Sequence, residues 1–496
     1  MSTGTCCVVL HTHLPWLAHA GAWPVGEEWL HQAWATSYDP VVEVLERLAD
    51  DGRTGVLTLG VTPVVNAMLD DPYLLRAQHT WLGTWQTRAA GLAARPGASD
   101  ALRDTAVYEW RLASHALDRF ETRWRHGGSP VLRALSDAGV VELLGGPATH
   151  PFQPLVADER LLHAQLRTGL DDAAIRWGAT PSGIWAPECG YRPGLEDVYA
   201  RHGVAHFLAD GPTLLGSGVP TSGAYRVRDS DVVVLGRDLD VTYRVWSPRA
   251  GYPGGRWYRD FHTFDHDSGL RPARVTSRRT EPGDKRPYDP ARAAVAVERD
   301  AHDFVRVVVE RLTSIAGERG RPGLAVVAYD TELFGHWWHE GPAWLDRVLR
   351  LLPEAGVRVT TLRDAAERHL DGTVGLRMGS WGSGKDARVW EGDLQDESRD
   401  VERRLLDLVD KRTPRRDRDP VLDQAAREAF LVMSSDWAFC VAKDSAADYA
   451  RSRHATHVAR FTALAEALES GRDGTALAQR FRALDAPFGH LDARLI

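Results

Sequence analysis

Cysteine is scarce, with four in 496 residues, and Cys6, Cys7, Cys189 and Cys440 form no C-x-x-C pair. They read as buried thiols of a protein kept in a reducing compartment. An excess of basic residues is also absent. A formal charge of −8 and a pI near 6.2 argue against nucleic acid or an anionic membrane as the main partner, since either calls for a basic face. No charged segment leads into a long apolar stretch with a small-residue cleavage site, and no later apolar run approaches the roughly 18 residues of a membrane span. These absences lead to the expectation of a soluble, cytoplasmic protein with a neutral partner. Internal repeats and low-complexity stretches are lacking too.

What is present is a chain long enough to bury a substantial core, with 43% hydrophobic residues and eighteen tryptophans. Tryptophan supplies a flat apolar face with one N–H donor, a surface on which sugar rings stack, although at least half of so many are expected to fill core contacts. Short β-rich runs alternate with helical stretches: Cys6–Leu10, Val56–Leu59, Val140–Leu144, Gly183–Ala186, Ala205–Leu208, Val241–Val245, Leu324–Ala328 and Val357–Thr360. Such alternation predicts a parallel sheet. Asp289 before Pro290 predicts a capped crossover helix running to about Leu312, and Pro193 to His202, closed by Gly203, predicts another.

The β signal vanishes between 72 and 136, where two amphipathic patterns carry Trp81, Trp85, Trp110 and Trp124. It stops again after about 375, where 398–411, 420–434, 446–470 and 474–484 show helical periodicity. The division expected is therefore a barrel in two parts (1–71 and 137–375), a helical insertion (72–136) and a C-terminal helical domain (376–496). Lys411 to Pro420 reads as a solvated loop.

In a parallel α/β barrel, catalytic groups gather where the strands end. His11-Thr-His13-Leu-Pro15 follows the first strand, Gly146-Pro-Ala-Thr-His150 the third, Gly183-Ile-Trp-Ala-Pro-Glu188-Cys-Gly-Tyr191 the fourth, and Ala328-Tyr-Asp330-Thr-Glu332 the seventh. A lone acid at a strand end is more often a helix cap or an ion-pair partner, and a lone histidine more often a satisfied buried group. Four strand ends presenting such groups together are harder to explain in that way. Retaining glycosidic chemistry needs two carboxyl groups about 5–5.5 Å apart, one to attack and one to protonate the departing oxygen. Glu188 and Asp330 suit those roles, with the histidines binding sugar hydroxyls. A second reading takes His11, His13, His150 and Asp330 as metal ligands of a carbohydrate deacetylase, although no H-E-x-x-H or similarly tight pair is present.

At these positions the sequence resembles glycoside hydrolase family 57, particularly its 1,4-α-glucan branching members. The resemblance is carried by His11 to Pro15 with Trp23-Pro-Val-Gly-Glu-Glu-Trp29, by Ala148-Thr-His150, by Gly183 to Pro193 and by Asp330 to Trp338 with Glu340-Gly-Pro342. A C-terminal set adds Gly379-Ser-Trp381-Gly, Val389-Trp390 and Ser434-Ser-Asp436-Trp437. The resemblance implies a (β/α)7 barrel with a helical insertion and a C-terminal α-helical domain, Glu188 as nucleophile and Asp330 as acid/base. It also implies His11, His13, His150 and Arg271 in substrate binding, Trp381, Trp390 and Asp436 lining a glucan cleft, and Tyr252 on a mobile loop, Val245 to Gly254, that favours transfer over hydrolysis. Two positions depart from the pattern: Pro-Phe follows His150, and His339 stands where relatives often carry an aromatic residue.

The activity expected is that of a branching transferase acting on α-1,4-glucan donor and acceptor chains, without cofactor or metal. An α-amylase-like hydrolase and a non-catalytic glucan-binding protein are the alternatives. Branching and hydrolysis share the first half-reaction and differ in the acceptor. The oligomeric state is not readable from the sequence.

Overall fold

The computed structural model describes residues 4–247, 250–412 and 417–496. Pro248 and Arg249, in the segment compared with a mobile loop, and 413–416, in the expected solvated loop, lie outside them. Ten strands occur among the described residues: β1 (Gly4–Thr12), β2 (Leu57–Val61), β3 (Val141–Leu144), β4 (Gly183–Ile184), β5 (His206–Ala209), β6 (Ala224–Val227), β7 (Val233–Gly236), β8 (Leu324–Asp330), β9 (Val357–Val359) and β10 (Leu370–Val374).

One parallel run orders β3, β2, β1 and β8, and a second run contains β7, β5 and β4. Single parallel bridges, Gly145 with Ile184 and Arg237 with Val326, join the two at both ends. Seven parallel strands thus close into the (β/α)7 barrel. β9 pairs beside the start of β1, while β6 runs antiparallel to β7 and carries β10 on its other side.

Alternation along β1 sets the layers. Cys7 and Val9 point into the barrel among Leu144, Leu208, Leu235, Val326 and Ala328, while Cys6, Val8 and Leu10 pack outward beneath the helices. The same period of two sends His11 inward at the open end. The floor is polar. Glu142 of β3 and His206 of β5 are paired at 2.7 Å, each with its side chain 2% exposed, and the Arg363 N–H and Thr58 hydroxyl also donate to Glu142.

The run Val241–Val245 is a correction. It is helical, within Leu239–Val245, because the Asp238 carboxylate caps it by accepting the Val241 N–H at 3.2 Å. The strand of this region is β7, and it supplies the barrel's sixth stave. The crossover helix opened by Asp289 runs further than expected, from Pro290 to Arg319, with the Asp289 side chain accepting from the Arg292 N–H.

Helices Pro72–Ala93 and Asp100–Arg119, capped by Asp71 and Ser99, stand between β2 and β3. Beyond β10, helices Asp393–Arg412, Pro420–Val432, Ser435–Ala442, Ala447–Glu469 and Thr475–Arg482 make up the C-terminal part. More than half of the tryptophans are buried, among them Trp34, Trp124, Trp185, Trp338 and Trp344. No helix among the described residues is long and apolar enough to cross a membrane.

Gly183 is fixed by the barrel floor: a Cβ there would stand 2.2 Å from His206 Nε2 and 2.7 Å from Leu144 Cδ2. Gly183→Ala should therefore destabilise the fold by about 1–3 kcal/mol through overpacking, seen as a lower urea midpoint at unchanged m.

Candidate active site

The mouth of the barrel is built from backbone that most residues avoid. Glu188 sits in a one-turn 3-10 segment just past β4 with φ of 61°, followed by Cys189 at 50°, and His150 past β3 lies at 56°. Non-glycine residues in this left-handed region cost of order 1 kcal/mol or more each, and such strain collects at functional sites because surrounding contacts over-determine it. Here the contacts are specific. Glu188 is 8% exposed, its Oε2 accepts the Trp381 indole N–H at 2.7 Å, its Oε1 accepts the Ser435 hydroxyl at 2.8 Å, and its backbone carbonyl accepts the Trp381 N–H at 2.9 Å.

Ser435 determines the proton arrangement around it. Its one hydroxyl proton points at Glu188, so it accepts from His150 Nδ1 at 3.0 Å. Burial, with His13 and His11 nearby, holds His150 neutral, so its Nε2 is bare and accepts from His11 Nε2 at 3.1 Å. His11 is also held neutral, by burial and by His13, which leaves its Nδ1 without a proton. That atom is buried without a partner, facing the space left by Gly60. The chain His11 to His150 to Ser435 to Glu188 therefore has one direction, and every donor in it points toward the carboxylate.

His13 differs. Burial opposes its charge, but Asp436 at 2.9 Å, with Glu188 and Glu332 close by, raises its pKa above the ordinary value. Its ring stacks on that of His150 at 3.7 Å, and Nδ1 meets the Thr62 hydroxyl at 3.1 Å. His13 is thus the one of the three imidazoles whose surroundings favour the charged form, while its two neighbours stay uncharged.

Asp330 closes β8 directly opposite His11 in the parallel register, so the inward-facing His11, stacked on Trp185 at 4.2 Å, fixes the face on which Asp330 lies. No hydrogen bond engages the Asp330 carboxyl among the described residues. Burial raises its pKa to about 6 against the pull of Arg237 and His13. Burial likewise raises Glu188 to about 7, partly offset by the Trp381 and Ser435 donors. Those values alone order the pair the wrong way for a nucleophile and an acid. The hydrogen bonds argue the other order: both Glu188 oxygens accept, which suits a carboxylate, whereas Asp330 is free to donate to a substrate oxygen.

Some expected residues gather here and others do not. Trp381 is in place, resting against Trp185 and under the Arg237 guanidinium at 5.3 Å, and Asp436 pairs with His13. Trp390 is a correction: it is 1% exposed, stacked on Phe152 at 4.1 Å and pressed against Gly382. It backs the Trp381 loop and presents no face to a sugar, and the Phe after His150 is its partner. Tyr252 is directed elsewhere, its hydroxyl donating to Asp303 at 2.7 Å under Arg244. Arg271 lies in a separate cleft beside the insertion helices, where His339 bonds the Tyr108 hydroxyl at 2.9 Å.

Four residues of the site were not singled out by sequence. Glu332 accepts from Tyr38 and from the His13 N–H at 3.3 Å, and burial together with Asp330 pushes it to about 8. Ser435, Trp185 and Arg237 complete the set. Glu332, Ser435 and Trp185 lie inside the motif segments, and an acid two residues past Asp330 was a usable signal.

Ligand atoms of His13, His150 and Asp436 lie within 4.8 Å of one another, as do those of the buried Glu428, His457 and Asp485. The four-ligand set considered for a deacetylase is not assembled, since Asp436 stands beside the histidines where Asp330 had been counted. In the second group, Arg460 pairs with Asp485 and Arg453 bonds His457, so cations of the chain already meet its charge. Asp485 also accepts the Trp16 indole N–H at 3.0 Å, which ties the loop carrying His11 and His13 to the C-terminal helices.

Comparison with known proteins agrees with this architecture. The glycosyl hydrolase family 57 profile matches residues 7–374. The chain belongs to glycoside hydrolase family 57. A second profile, the 1,4-alpha-glucan branching enzyme C-terminal region, matches 397–495. The chain is 53% identical to a probable 1,4-alpha-glucan branching enzyme of Mycobacterium tuberculosis over 99% of its length and 98% of that protein. It is 31% identical to a 1,4-alpha-glucan branching enzyme of Thermococcus kodakarensis, over 98% of this chain and 77% of that one. The crystal structure of the Thermococcus family 57 branching enzyme superposes with a TM-score of 0.94 at 30% identity, covering 100% of this chain and 96% of that chain. The alpha-amylase AmyC of Thermotoga maritima superposes at 0.90 with 25% identity, covering 100% and 99%.

The Trp381 indole N–H stabilises ionised Glu188, so its loss raises that pKa further. Trp381→Phe should move the acidic limb of the kcat/KM profile to higher pH and lower kcat/KM about tenfold or more at neutral pH. An unmoved limb would detach Glu188 from the essential ionisation.

Proposed function

We propose that the chain is a 1,4-α-glucan branching enzyme that cleaves an α-1,4 linkage by retaining double displacement and passes the chain to a 6-hydroxyl. Glu188 attacks the anomeric carbon, Asp330 protonates the departing oxygen, and the resulting glycosyl-enzyme is released by an acceptor hydroxyl that Asp330 deprotonates. The observation that carries this reading is the asymmetry of the two carboxyl groups: Glu188 is held by donors on both oxygens, while Asp330 is left unengaged on the same barrel mouth. Imidazolium His13 lies in electrostatic range of both and favours the negative charge on Glu188 before attack. His11 and His150, neutral, have their engaged ring nitrogens in the relay that ends on Glu188, so their part is to hold that carboxylate, and Trp381 offers a partly open ring face.

The insertion helices and the C-terminal helices act as walls of the cleft, with residues 72–136 and 376–496 as their extent. α-Glucan chains serve as donor and acceptor, glycogen being the polymer of first choice, in a reducing cytoplasmic setting that suits four free thiols. Hydrolysis is the second reading, and the likeness to AmyC favours it, because that protein is named an amylase and shares the whole architecture.

Incubation with amylose separates the two. New α-1,6 linkages without new reducing ends are expected, whereas reducing ends without branches would establish a hydrolase. Glu188→Gln should reduce both products to background with the fold intact, and Asp330→Asn should slow turnover by about 10² or more. Wild-type rates in Glu188→Gln would remove the nucleophile assignment.

A further inference from the structure

A second cleft opens where the insertion helices Pro72–Ala93 and Asp100–Arg119 face the loops 256–271 and 335–339. It shares a wall with the candidate active site. Helix Glu27–Ala33 and its π-helical continuation Trp34–Tyr38 contribute Gln32 and Thr36 to the cleft, and their Ser37 and Tyr38 hold the turn after Asp330. The partly exposed rings of Trp81 and Trp337 border the cleft.

The charges in this cleft are unevenly matched. Glu109 is engaged by Arg259 and the Trp85 indole, Asp260 by Lys285 at 2.7 Å, and Glu28 by the Trp81 indole and Gln32. Arg88 and Arg271 have no carboxylate partner among the described residues. His336 and His339 stay uncharged, through burial and the neighbouring arginines. The Arg88 Nε is buried without any acceptor, and its guanidinium lies over Gly269. Arg271 has the Phe261 and Phe264 rings against its guanidinium at 4.5 and 4.6 Å, with Nε fixed on the Phe261 carbonyl at 2.8 Å and one terminal nitrogen 3.5 Å from the Gln32 amide oxygen. A guanidinium steadied by aromatic rings and lacking a carboxylate partner is suited to recognising a carboxylate or phosphate. Burial and Arg259 lower the Arg271 pKa to about 10, a cost to its charge that a bound anion would remove.

We propose that this cleft binds a saccharide carrying an anionic group, carboxylate or phosphate, with Arg88 and Arg271 on the anion and Trp81 and Trp337 beside the sugar. The proposal rests on the reading of the chain as glucan-active and specifies one end of a chain that it accepts.

Equilibrium binding by calorimetry at low salt tests it, with three probes: maltotetraose, the same chain oxidised at its reducing end to the aldonate, and the chain bearing a phosphate. One or both anionic probes should bind roughly tenfold or more tightly than the neutral one, and salt should erode the difference. Whichever anionic probe is favoured identifies the anion. Arg88→Gln and Arg271→Gln, each checked for a native circular dichroism spectrum, should reduce the preference, and the double variant should abolish it. Equal affinities for all three probes in the unaltered protein would overturn the proposal, as would a preference that either single variant leaves undiminished or that survives in the double variant. The amylose assay on the same protein reports separately on the glucan-active reading.

Discussion

A carboxylate taken out of water must be given donors, and both of those on Glu188 come from outside the barrel that carries it. Trp381 and Ser435 each supply a hydrogen bond to a charged group, worth roughly 1.5–3 kcal/mol apiece, and both belong to the chain beyond β10. Burial keeps the group at about 7 even with both donors in place, so without them its pKa would rise further and it would hold its proton. The C-terminal helices are therefore part of the ionisation of the proposed nucleophile. Their docking is reinforced where the strand-end histidines begin, through the His13 to Asp436 pair and the Trp16 to Asp485 hydrogen bond.

The histidines then distribute charge within the mouth. Three imidazoles in mutual contact cannot all be protonated, and the structure favours the proton on His13, through Asp436 with Glu188 and Glu332 close by, while burial strips it from His11 and His150. A cation held near both Glu188 and Asp330 stabilises a negative nucleophile most while the substrate carries no charge. It opposes an oxocarbenium-like state unless Glu188 sits nearer the developing positive charge. The strained left-handed φ of Glu188 serves that end, since it turns the carboxylate out of the 3-10 segment toward the mouth.

Much of this was legible in the sequence, for a physical reason. Strands that end at a functional face carry an apolar run followed at once by polar groups, so the junctions at His11, His150, Glu188 and Asp330 stood out from their neighbours. The run Val241–Val245 misled because a short β-branched stretch fits either period, and the capping by Asp238 that decides for helix depends on chain direction only a few residues away. Trp390 and Tyr252 lie within recognisable motifs and Arg271 outside them, but the side-chain directions of all three are fixed by tertiary partners: Phe152, Asp303 and the Phe261/Phe264 pair. Arg237 carries no local signal, and Ser435 is marked only by its motif segment, because the importance of both lies in which distant residue they meet.

The proposed acid/base is positioned by a different device. The Asp330 carboxyl accepts no hydrogen bond among the described residues, so its orientation is inherited from the backbone turn after β8, and that turn is held on several sides. Thr12 bonds the Thr331 hydroxyl at 2.8 Å, Ser37 donates to the Thr331 carbonyl, and Tyr38 donates to Glu332. Ser37 and Tyr38 sit in a π-helical stretch, a form that widens the helix and is common at functional sites. Gly335 completes the fit, since at its φ of 109° a Cβ would collide with the Thr36 carbonyl at 1.7 Å. A carboxyl group fixed through its backbone keeps its own oxygens for the substrate, and after giving up its proton it can take one from whichever acceptor the surrounding loops admit. The choice between water and a sugar hydroxyl then falls to the walls of the cleft, while the two carboxyl groups perform the same chemistry for either.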